Sequence, residues 1–270
     1  MNQSSARYAV FGHPIGHSRS PEIHHHFAET TGRTIHYERI DPGVDGFESA
    51  VSDFFQSGAQ GANVTLPFKE RAFHMAEALS DRARLARSVN TLAVGRDGRL
   101  SGDNTDGVGL VRDLTANLGF SLEGKRLLLI GAGGAARGVL GPLLESGVEA
   151  LYVANRTRER AQQLAQDFRD TGPVSGGGLD DLPNQLFDLI LNATAASLSG
   201  DNVDLPHRLF APHCLCYDMS YATELSPFLQ QGIRHGAHVA DGWGMLVEQA
   251  AESFQIWHGI RPDTADLLEW

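Results

Sequence analysis

Short apolar runs alternate with amphipathic stretches along the first hundred residues. Runs rich in β-branched and aromatic residues predict strands at Tyr8–Phe11, Ile35–Ile40, Gly61–Thr65, Thr91–Val94 and Arg99–Ser101. Apolar positions that recur every three or four residues predict helices at Pro21–Thr30, Phe47–Gln56 and Pro67–Leu79, with another starting at Ser80-Asp81. Ser20 is the expected N-cap of the first helix. This alternation indicates an α/β domain.

The alternation continues after a helix predicted near Asp106–Leu118. Further strands are predicted at Arg126–Ile130, Ala150–Ala154, Leu189–Asn192 and Leu215–Asp218, and a last helix at Trp243–Trp257. The glycine-rich segment 175–181 is typical of a loop. A chain of 270 residues is long enough for two domains of ordinary size. We therefore expect a two-domain α/β protein with a small-molecule site in a cleft between the domains.

Charge and composition narrow the possible partners. Lys and Arg together number 22 and Asp and Glu 33, which gives a formal net charge of −11. Such a chain is poorly suited to a nucleic acid backbone or an anionic membrane. The sequence lacks an apolar run of roughly 18 residues and the pattern of a signal peptide. Cys214 and Cys216 share one face of a predicted strand, so we expect buried free thiols and a cytoplasmic protein.

A dinucleotide site is predicted from the segment that follows the strand Arg126–Ile130. Residues 131–136 have the pattern G-x-G-x-x-A between a strand and a helix, within a strand–helix–strand unit. Gly131 permits the tight turn, Gly133 lets the backbone approach a pyrophosphate, and the small Ala136 lets helix and strand pack closely. The helix start then offers free N–H groups to the phosphates.

The end of the next strand indicates which dinucleotide is bound. An NAD site usually has Asp or Glu there for the ribose hydroxyl. This chain has Asn155, Arg156 and Thr157 instead, followed by Arg158 and Arg160. A guanidinium can bind a 2′-phosphate through forked, charge-assisted hydrogen bonds, which favours NADP over NAD. A solvated basic helix start is the alternative.

Two other segments carry polar side chains that the fold alone does not require. Ser18 and Ser20 lie in a loop leading into a helix, where hydroxyl and N–H groups can hold a carboxylate. Asn63 and Thr65 share one face of a strand. Lys69 follows at a helix start, where a positive charge is unfavourable. The structural alternatives are an N-cap role for Ser20 and a solvated surface lysine.

A third polar segment crowds Asp103, Asn104 and Asp106 into a turn before a helix. Caps and turns use such residues routinely, so a structural role stays open. The D-x-N-x-D spacing is also a fragment of a calcium loop, but Val108 stands where that loop needs glycine. The run His24–His26 cannot place its side chains on one ligand face of a helix. We therefore expect no metal site.

The polar segments occur together with the glycine fingerprint in a recognisable order. FGHPIGHSRSPEIH, GANVTLPFKE, SVNTL, GDNTDG, GAGGAARG, NRT, YDMSY and ADGWGMLVEQA resemble the shikimate dehydrogenase family over residues 7–260. The resemblance implies a substrate domain of residues 1–105 and 243–270 and a Rossmann-type NADP domain of residues 106–242. It also implies NADPH-dependent, reversible reduction of 3-dehydroshikimate to shikimate in aromatic amino acid biosynthesis.

The resemblance further implies roles for single residues. The catalytic pair would be Lys69 and Asp106. The substrate would be held by both of these together with Ser18, Ser20, Asn63, Thr65, Asn90, Tyr221 and Gln249. NADP would contact Gly131, Ala132, Gly133, Gly134, Ala135, Asn155, Arg156, Thr157, Arg160, Thr194, Met219 and Gly242.

We interpret Lys69 as the proton donor in reduction and Asp106 as the group that orients it. One alternative is a quinate/shikimate dehydrogenase with broader substrate and cofactor use, against which Arg156 argues. The other is a catalytically silent NADP-binding regulatory module, which has no need for the catalytic pair. We expect a monomer or homodimer.

The chain departs from the family pattern at three places. His13 stands in place of Asn, Ala195–Ser197 in place of Ser-x-Gly, and Ser220 at a position that is often apolar. They concern the first loop and the cofactor side of the protein, not the catalytic pair.

Overall fold

The protein is described from a computed structural model that covers residues 5–95, 97–194 and 203–270. The chain divides into two compact units, Met1–Gly109 with Val247–Trp270, and Leu110–Leu246. The domain boundaries predicted from the sequence lie a few residues before these divisions. Among the described residues, no helix combines the length and apolar character needed to cross a bilayer.

The first unit contains a mixed six-stranded sheet with the order β2-β1-β3-β5-β6-β4. Its strands are β1 Ala6–Phe11, β2 Ile35–Ile40, β3 Gly61–Val64, β4 Ala78–Leu79, β5 Thr91–Val94 and β6 Leu100–Asp103. β1 pairs in parallel with β2 and β3, whereas β5 is antiparallel to β3 and β6. An aromatic core that includes stacked Phe47 and Phe68 rings, 4.6 Å apart, packs on the sheet.

The second unit contains a six-stranded sheet in which every pairing is parallel, with the order β12-β11-β10-β7-β8-β9. Its strands are β7 Arg126–Ile130, β8 Ala150–Asn155, β9 Val174–Gly178, β10 Phe187–Asn192, β11 Phe210–Asp218 and β12 His238–Ala240. From the other edge this order is 3-2-1-4-5-6, that of the doubly wound dinucleotide-binding fold. The central strand β7 is an apolar run, as burial on both faces requires.

Helices connect the strands in both units. They are α1 Ser20–Thr30, α2 Phe47–Gln56, α3 Lys69–Met75, α4 Asp81–Ala86, α5 Asp106–Arg112, α6 Gly134–Glu145, α7 Arg158–Asp167, α8 Pro227–Arg234, α9 Trp243–His258 and α10 Ala265–Leu268. The predicted α/β fold class is confirmed. The free thiols of Cys214 and Cys216 are buried in the core of the second unit, as predicted.

The prediction of a loop at 175–181 was wrong for residues 175–178, which form most of β9. This strand pairs with β8 in register, Val153 opposite Gly176. A Cβ atom at Gly176 would overlap the backbone carbonyl of Ala161 in α7. Gly176 is therefore required by the close approach of a helix to a strand, and it does not indicate a flexible loop.

Three predictions about helices were also wrong in part. Pro67–Leu79 is not one helix, because α3 ends at Met75 and the chain then pairs with β6. Ser20 is not the N-cap of α1. Arg19 occupies that position without a side-chain hydrogen bond, and Ser20 is already helical. The predicted helix Asp106–Leu118 changes to a π-helical turn after Arg112.

Gly176→Ala should lower the free energy of unfolding by about 1–3 kcal/mol, because the added methyl forces α7 away from β9. Urea denaturation followed by circular dichroism measures this change. Gly16→Ala is the matched control, since a Cβ at Gly16 would meet no atom within 4 Å. Equal stability of both variants would contradict the packing argument.

Candidate active site

Strand pairing brings the polar loops of the first unit to one edge of its sheet. The parallel strands β1 and β3 end at neighbouring positions, Phe11 and Val64. The antiparallel strand β5 begins beside them, with Thr91 opposite Asn63, and β6 ends with Asp103 opposite Thr91. The loops that follow β1, β3 and β6 and the residue that precedes β5 therefore leave the sheet at the same edge.

Lys69 and Asp106 form an ion pair at this edge. Lys69 Nζ lies 2.6 Å from Asp106 Oδ2, and the two side chains are only 17% and 7% exposed. The other carboxylate oxygen, Oδ1, accepts a hydrogen bond of 2.8 Å from Asn90 Nδ2. The carboxylate is thus held at both oxygens, and it holds an ammonium group that retains some access to solvent.

Asn90 connects the ion pair to helix α9. Its Nδ2 donates to Gln249 Oε1 at 3.1 Å, and its Oδ1 accepts from the backbone N–H of Thr105 at 2.8 Å. Gly109 allows α9 this close, because a Cβ there would lie 2.7 Å from the backbone nitrogen of Gln249. Asn90 and Gln249 thus fix the orientation of Asp106.

Asn63 is the centre of a second, buried group of hydrogen bonds. Its Oδ1 accepts from Tyr37 OH at 2.7 Å and lies 3.1 Å from His24 Nε2. Its Nδ2 donates to Ser253 Oγ at 3.0 Å, and also to the Asn90 carbonyl and the Thr91 hydroxyl. Burial raises the pKa of the Tyr37 phenol, against a smaller opposing effect of its hydrogen bond with Ser20. Tyr37 therefore keeps its proton as a donor.

The sequence prediction missed several members of these networks: His24, Tyr37, Thr91, Thr105 and Ser253. One available signal was the helical spacing of Gln249 and Ser253, which places two polar side chains on the same face of α9. Another was the position of His24 in α1. His24 lies three residues before the buried Phe27, so the two side chains share one face of the helix.

The structure brings Ser18 and Ser20 together, with their Oγ atoms 3.2 Å apart and both side chains buried. Arg39 holds this loop by donating to the Ser18 carbonyl at 2.6 Å and to Glu22 at 2.7 Å. Thr65 follows β3, and its backbone N–H donates to the Phe11 carbonyl. Three hydroxyls of the predicted site thus lie on the two neighbouring loops.

Glycines shape the predicted dinucleotide site in the second unit. Gly131 follows β7 with a φ of +112°, a conformation that favours glycine. Gly133 is the N-cap of α6, which has no side-chain cap. At Gly133 and Gly134 an added Cβ would meet no protein atom within 4 Å. Packing does not explain these two glycines, whereas a ligand at the free N–H groups of α6 does. Ala132 and Ala135 lie in the same turn.

Among the described residues, two cationic side chains that follow β8 have no anionic partner. Arg158 is paired with Asp181 at 2.9 Å. By contrast, Arg156 and Arg160 are exposed and have no ion pair within the parts of the chain described above. Asn155 Nδ2 donates to the Thr157 carbonyl, which fixes the turn between them. The turn therefore offers free guanidinium groups to an anion, as a 2′-phosphate requires.

Other predicted cofactor residues lie at the ends of neighbouring strands of this sheet. Thr194 Oγ1 donates to Asn192 Oδ1 at 2.7 Å, and the Met219 N–H donates to the Asn192 carbonyl at 2.9 Å. A Cβ at Gly242 would overlap the Met219 carbonyl, so this position requires glycine. Tyr221 lies in this unit too, with its ring edge-on to Trp243, their centroids 5.9 Å apart.

The departures from the family pattern have different structural consequences. The Nδ1 of His13 lies 2.7 Å from Asp41 Oδ1, and Ser220 Oγ donates to Asp218 Oδ1 at 2.7 Å. Both polar replacements therefore have a partner. Ala195–Ser197 lie outside the described residues. Within the described ranges, no group of three or more His, Cys, Asp or Glu side chains is arranged to hold a metal ion.

Comparisons with known proteins agree on one family. Residues 10–92 match the shikimate dehydrogenase substrate binding domain, 113–201 match shikimate / quinate 5-dehydrogenase, and 242–269 match the shikimate 5′-dehydrogenase C-terminal domain. A shikimate dehydrogenase (NADP(+)) from Methylococcus capsulatus is 52% identical over 264 residues, which cover 97% of this chain and 95% of the relative.

Two solved structures are similar over nearly the whole chain. An Ael1 enzyme from Pseudomonas putida is 43% identical with a TM-score of 0.89, covering 98% of this chain and 97% of its own. Shikimate 5-dehydrogenase from Thermus thermophilus in complex with NADP(H) and shikimate is 34% identical with a TM-score of 0.86, at the same coverage.

The buried histidine beside Asn63 should make stability depend on pH. Burial lowers the pKa of His24 from 6.5 to about 3, although its hydrogen bond with Asn63 opposes the shift. Below pH 6.5 the imidazole of His24 therefore binds a proton in the unfolded chain but not in the folded chain. This stabilisation is complete above pH 6.5 and is lost progressively as the pH falls toward 3.

In urea titrations, His24→Phe should depend less on pH than the wild type. Between pH 7.5 and pH 5.5 the unfolding free energy of the wild type should fall by about 1.4 kcal/mol more than that of His24→Phe. Tyr37→Phe retains the imidazole and should keep the wild-type pH dependence. If His24→Phe and the wild type had the same pH dependence, His24 would not be its cause.

Proposed function

Since the chain belongs to the shikimate dehydrogenase family, we propose that Lys69 and Asp106 catalyse the NADP-dependent interconversion of 3-dehydroshikimate and shikimate in this protein. The observation that carries the assignment of the pair is its geometry: a partly buried ammonium 2.6 Å from a carboxylate whose second oxygen is held by Asn90. We assign the catalytic pair and the substrate-binding side chains other than Tyr221 to the first unit, and NADP to the second.

The residue type at position 69 supports an acid–base role. Of the 22 basic residues in the chain, only Lys69 and Lys125 are lysines, and the other 20 are arginines. An arginine side chain stays protonated in proteins, whereas a lysine can give up its proton. Lys125 is bound to Asp188 at 3.3 Å in the second unit. Lysine thus occurs in the first unit only at the position where proton transfer needs it.

The reduction adds a hydride to the carbonyl carbon and a proton to its oxygen. NADPH supplies the hydride when it is bound. Lys69 Nζ donates the proton to the ketone oxygen, and in the oxidation direction it takes the proton back from the hydroxyl. Asp106 orients the ammonium and accepts a hydrogen bond from a neighbouring substrate hydroxyl. Orienting Lys69 and the substrate in this way adds to the rate enhancement that the acid itself provides.

The remaining polar groups are proposed to bind the substrate. Ser18 and Ser20 offer two adjacent hydroxyls to its carboxylate. The substrate hydroxyls are assigned to Asn63, Thr65, Asn90, Tyr221 and Gln249. Because the two serines are buried and lie close together, they need little ordering when the anion binds.

The second unit fits NADP. We assign the pyrophosphate to the turn Gly131–Ala135 and the 2′-phosphate to the segment Asn155–Thr157 with Arg160, and we place Thr194, Met219 and Gly242 along the rest of the cofactor. Arg156, which has no ion pair among the described residues, argues against the NAD-using quinate/shikimate alternative. The Lys69–Asp106 pair argues against a silent module. We further propose that the protein acts in the cytoplasm as a monomer or homodimer.

Lys69→Ala should lower kcat for shikimate oxidation by about 10²–10⁴-fold and leave KM little changed, because it removes the proton acceptor. Steady-state formation of NADPH measures both constants, with quinate assayed beside shikimate. Lys125→Ala is the matched control and should retain wild-type kcat. A near-normal kcat in Lys69→Ala would exclude the proposed acid–base role.

Arg156→Ala should weaken NADPH binding by about 10- to 100-fold and leave NADH binding unchanged, since only NADPH has the 2′-phosphate. Fluorescence titration with each nucleotide gives the two dissociation constants. Arg158→Ala removes a guanidinium that is already paired with Asp181 and should have little effect. A wild-type protein that prefers NADH would refute the assignment of Arg156.

A further inference from the structure

His24 is a buried imidazole to which the proposed mechanism gives no role. It projects from α1 into an aromatic environment and is fully shielded from solvent. The Tyr37 ring stacks on it with a centroid distance of 4.5 Å and an interplanar angle of 9°, and Trp257 lies 5.1 Å away. Phe27 and Phe254 complete the enclosure. A polar ring in such surroundings needs a hydrogen bond to offset its desolvation.

The surroundings of the two ring nitrogens fix the position of the imidazole proton. His24 Nδ1 is buried and has no hydrogen-bond partner among the described residues, whereas Nε2 lies 3.1 Å from Asn63 Oδ1. Burial keeps the ring neutral, with a pKa lowered to about 3, so it carries a single proton. A buried N–H without an acceptor is rare and costly. The proton therefore lies on Nε2, which donates to Asn63.

The tautomer of His24 in turn fixes the amide of Asn63. Tyr37 OH and His24 Nε2–H both point at the same end of this amide. A flipped amide would place its NH₂ group against the N–H of His24, which cannot accept a hydrogen bond. The carbonyl oxygen must therefore face His24, and the NH₂ group must face Ser253 and Thr91.

We propose that His24 is a positioning residue of the substrate site, which holds the Asn63 amide so that its NH₂ group donates to Ser253 and to the Asn90 carbonyl and thereby keeps Asn90 in place. This inference rests on the proposed roles of Asn63 and Asn90 in binding substrate hydroxyls.

Kinetics of His24→Phe test the proposal, because phenylalanine preserves the stacked ring and removes the Nε2–H donor. The KM for shikimate should rise by about 3- to 10-fold, as expected for a lost buried hydrogen bond. The KM for NADP⁺ should stay unchanged, and kcat should change less than the KM for shikimate. His24→Gln places an N–H₂ group near the position of Nε2 and should restore most of the affinity.

His258→Phe is the matched control. His258 is also an imidazole among aromatic rings of the first unit, with Nε2 buried and unpartnered, so its replacement should leave the KM for shikimate unchanged. An unchanged KM in His24→Phe, or equal increases for His24→Phe and His258→Phe, would overturn the proposal. A wild-type protein that does not oxidise shikimate would instead reject the proposed function itself.

A direct measurement does not depend on the folding of any variant. Long-range proton–nitrogen NMR spectra of the wild-type protein distinguish the two neutral tautomers of a histidine. We expect His24 to be protonated at Nε2 and unprotonated at Nδ1. A proton on Nδ1 would release the constraint on the Asn63 amide and overturn the inference.

Discussion

The ion pair between Lys69 and Asp106 places two charges where water has little access, and the surrounding polar residues offset the cost. Removing a carboxylate from water is expensive unless its oxygens receive hydrogen bonds in return. Asp106 receives them from Lys69 and Asn90, and Asn90 is fixed in turn by Thr105 and Gln249. The arrangement of four chain segments thus follows from the need to hold one carboxylate.

The two units provide polar groups for their proposed ligands by different means. The substrate side uses side-chain amides and hydroxyls that are ordered by each other before any ligand binds. The nucleotide side uses the backbone, because glycine at 133 and 134 leaves the start of α6 uncovered, and Arg156 and Arg160 add positive charge. A small hydroxylated acid needs precise donors and acceptors, whereas a pyrophosphate needs several N–H groups in one turn.

Much of the fold was predictable, because the strands β2, β5 and β7 and the helix α2 have a decisive apolar pattern, and their predicted bounds agree with the structure. β4 and β9 were missed for a common reason. Their extended conformation depends on backbone pairing with β6 and β8, which the local sequence does not encode. The polar networks were missed where they join distant positions, as between Asn63 and Ser253. The residues of the site were identified by their resemblance to the family's motifs, and their roles remain predictions.

Helix α9 supplies Gln249 and Ser253 to networks whose other members lie within the first 106 residues. The continuous unit Leu110–Leu246 is synthesised between these two contributions. During translation, the hydrogen-bond networks of the first unit therefore stay incomplete until the whole nucleotide-binding unit has been synthesised. Because domains fold as they leave the ribosome, the order of translation makes the substrate site the last part of the enzyme to mature.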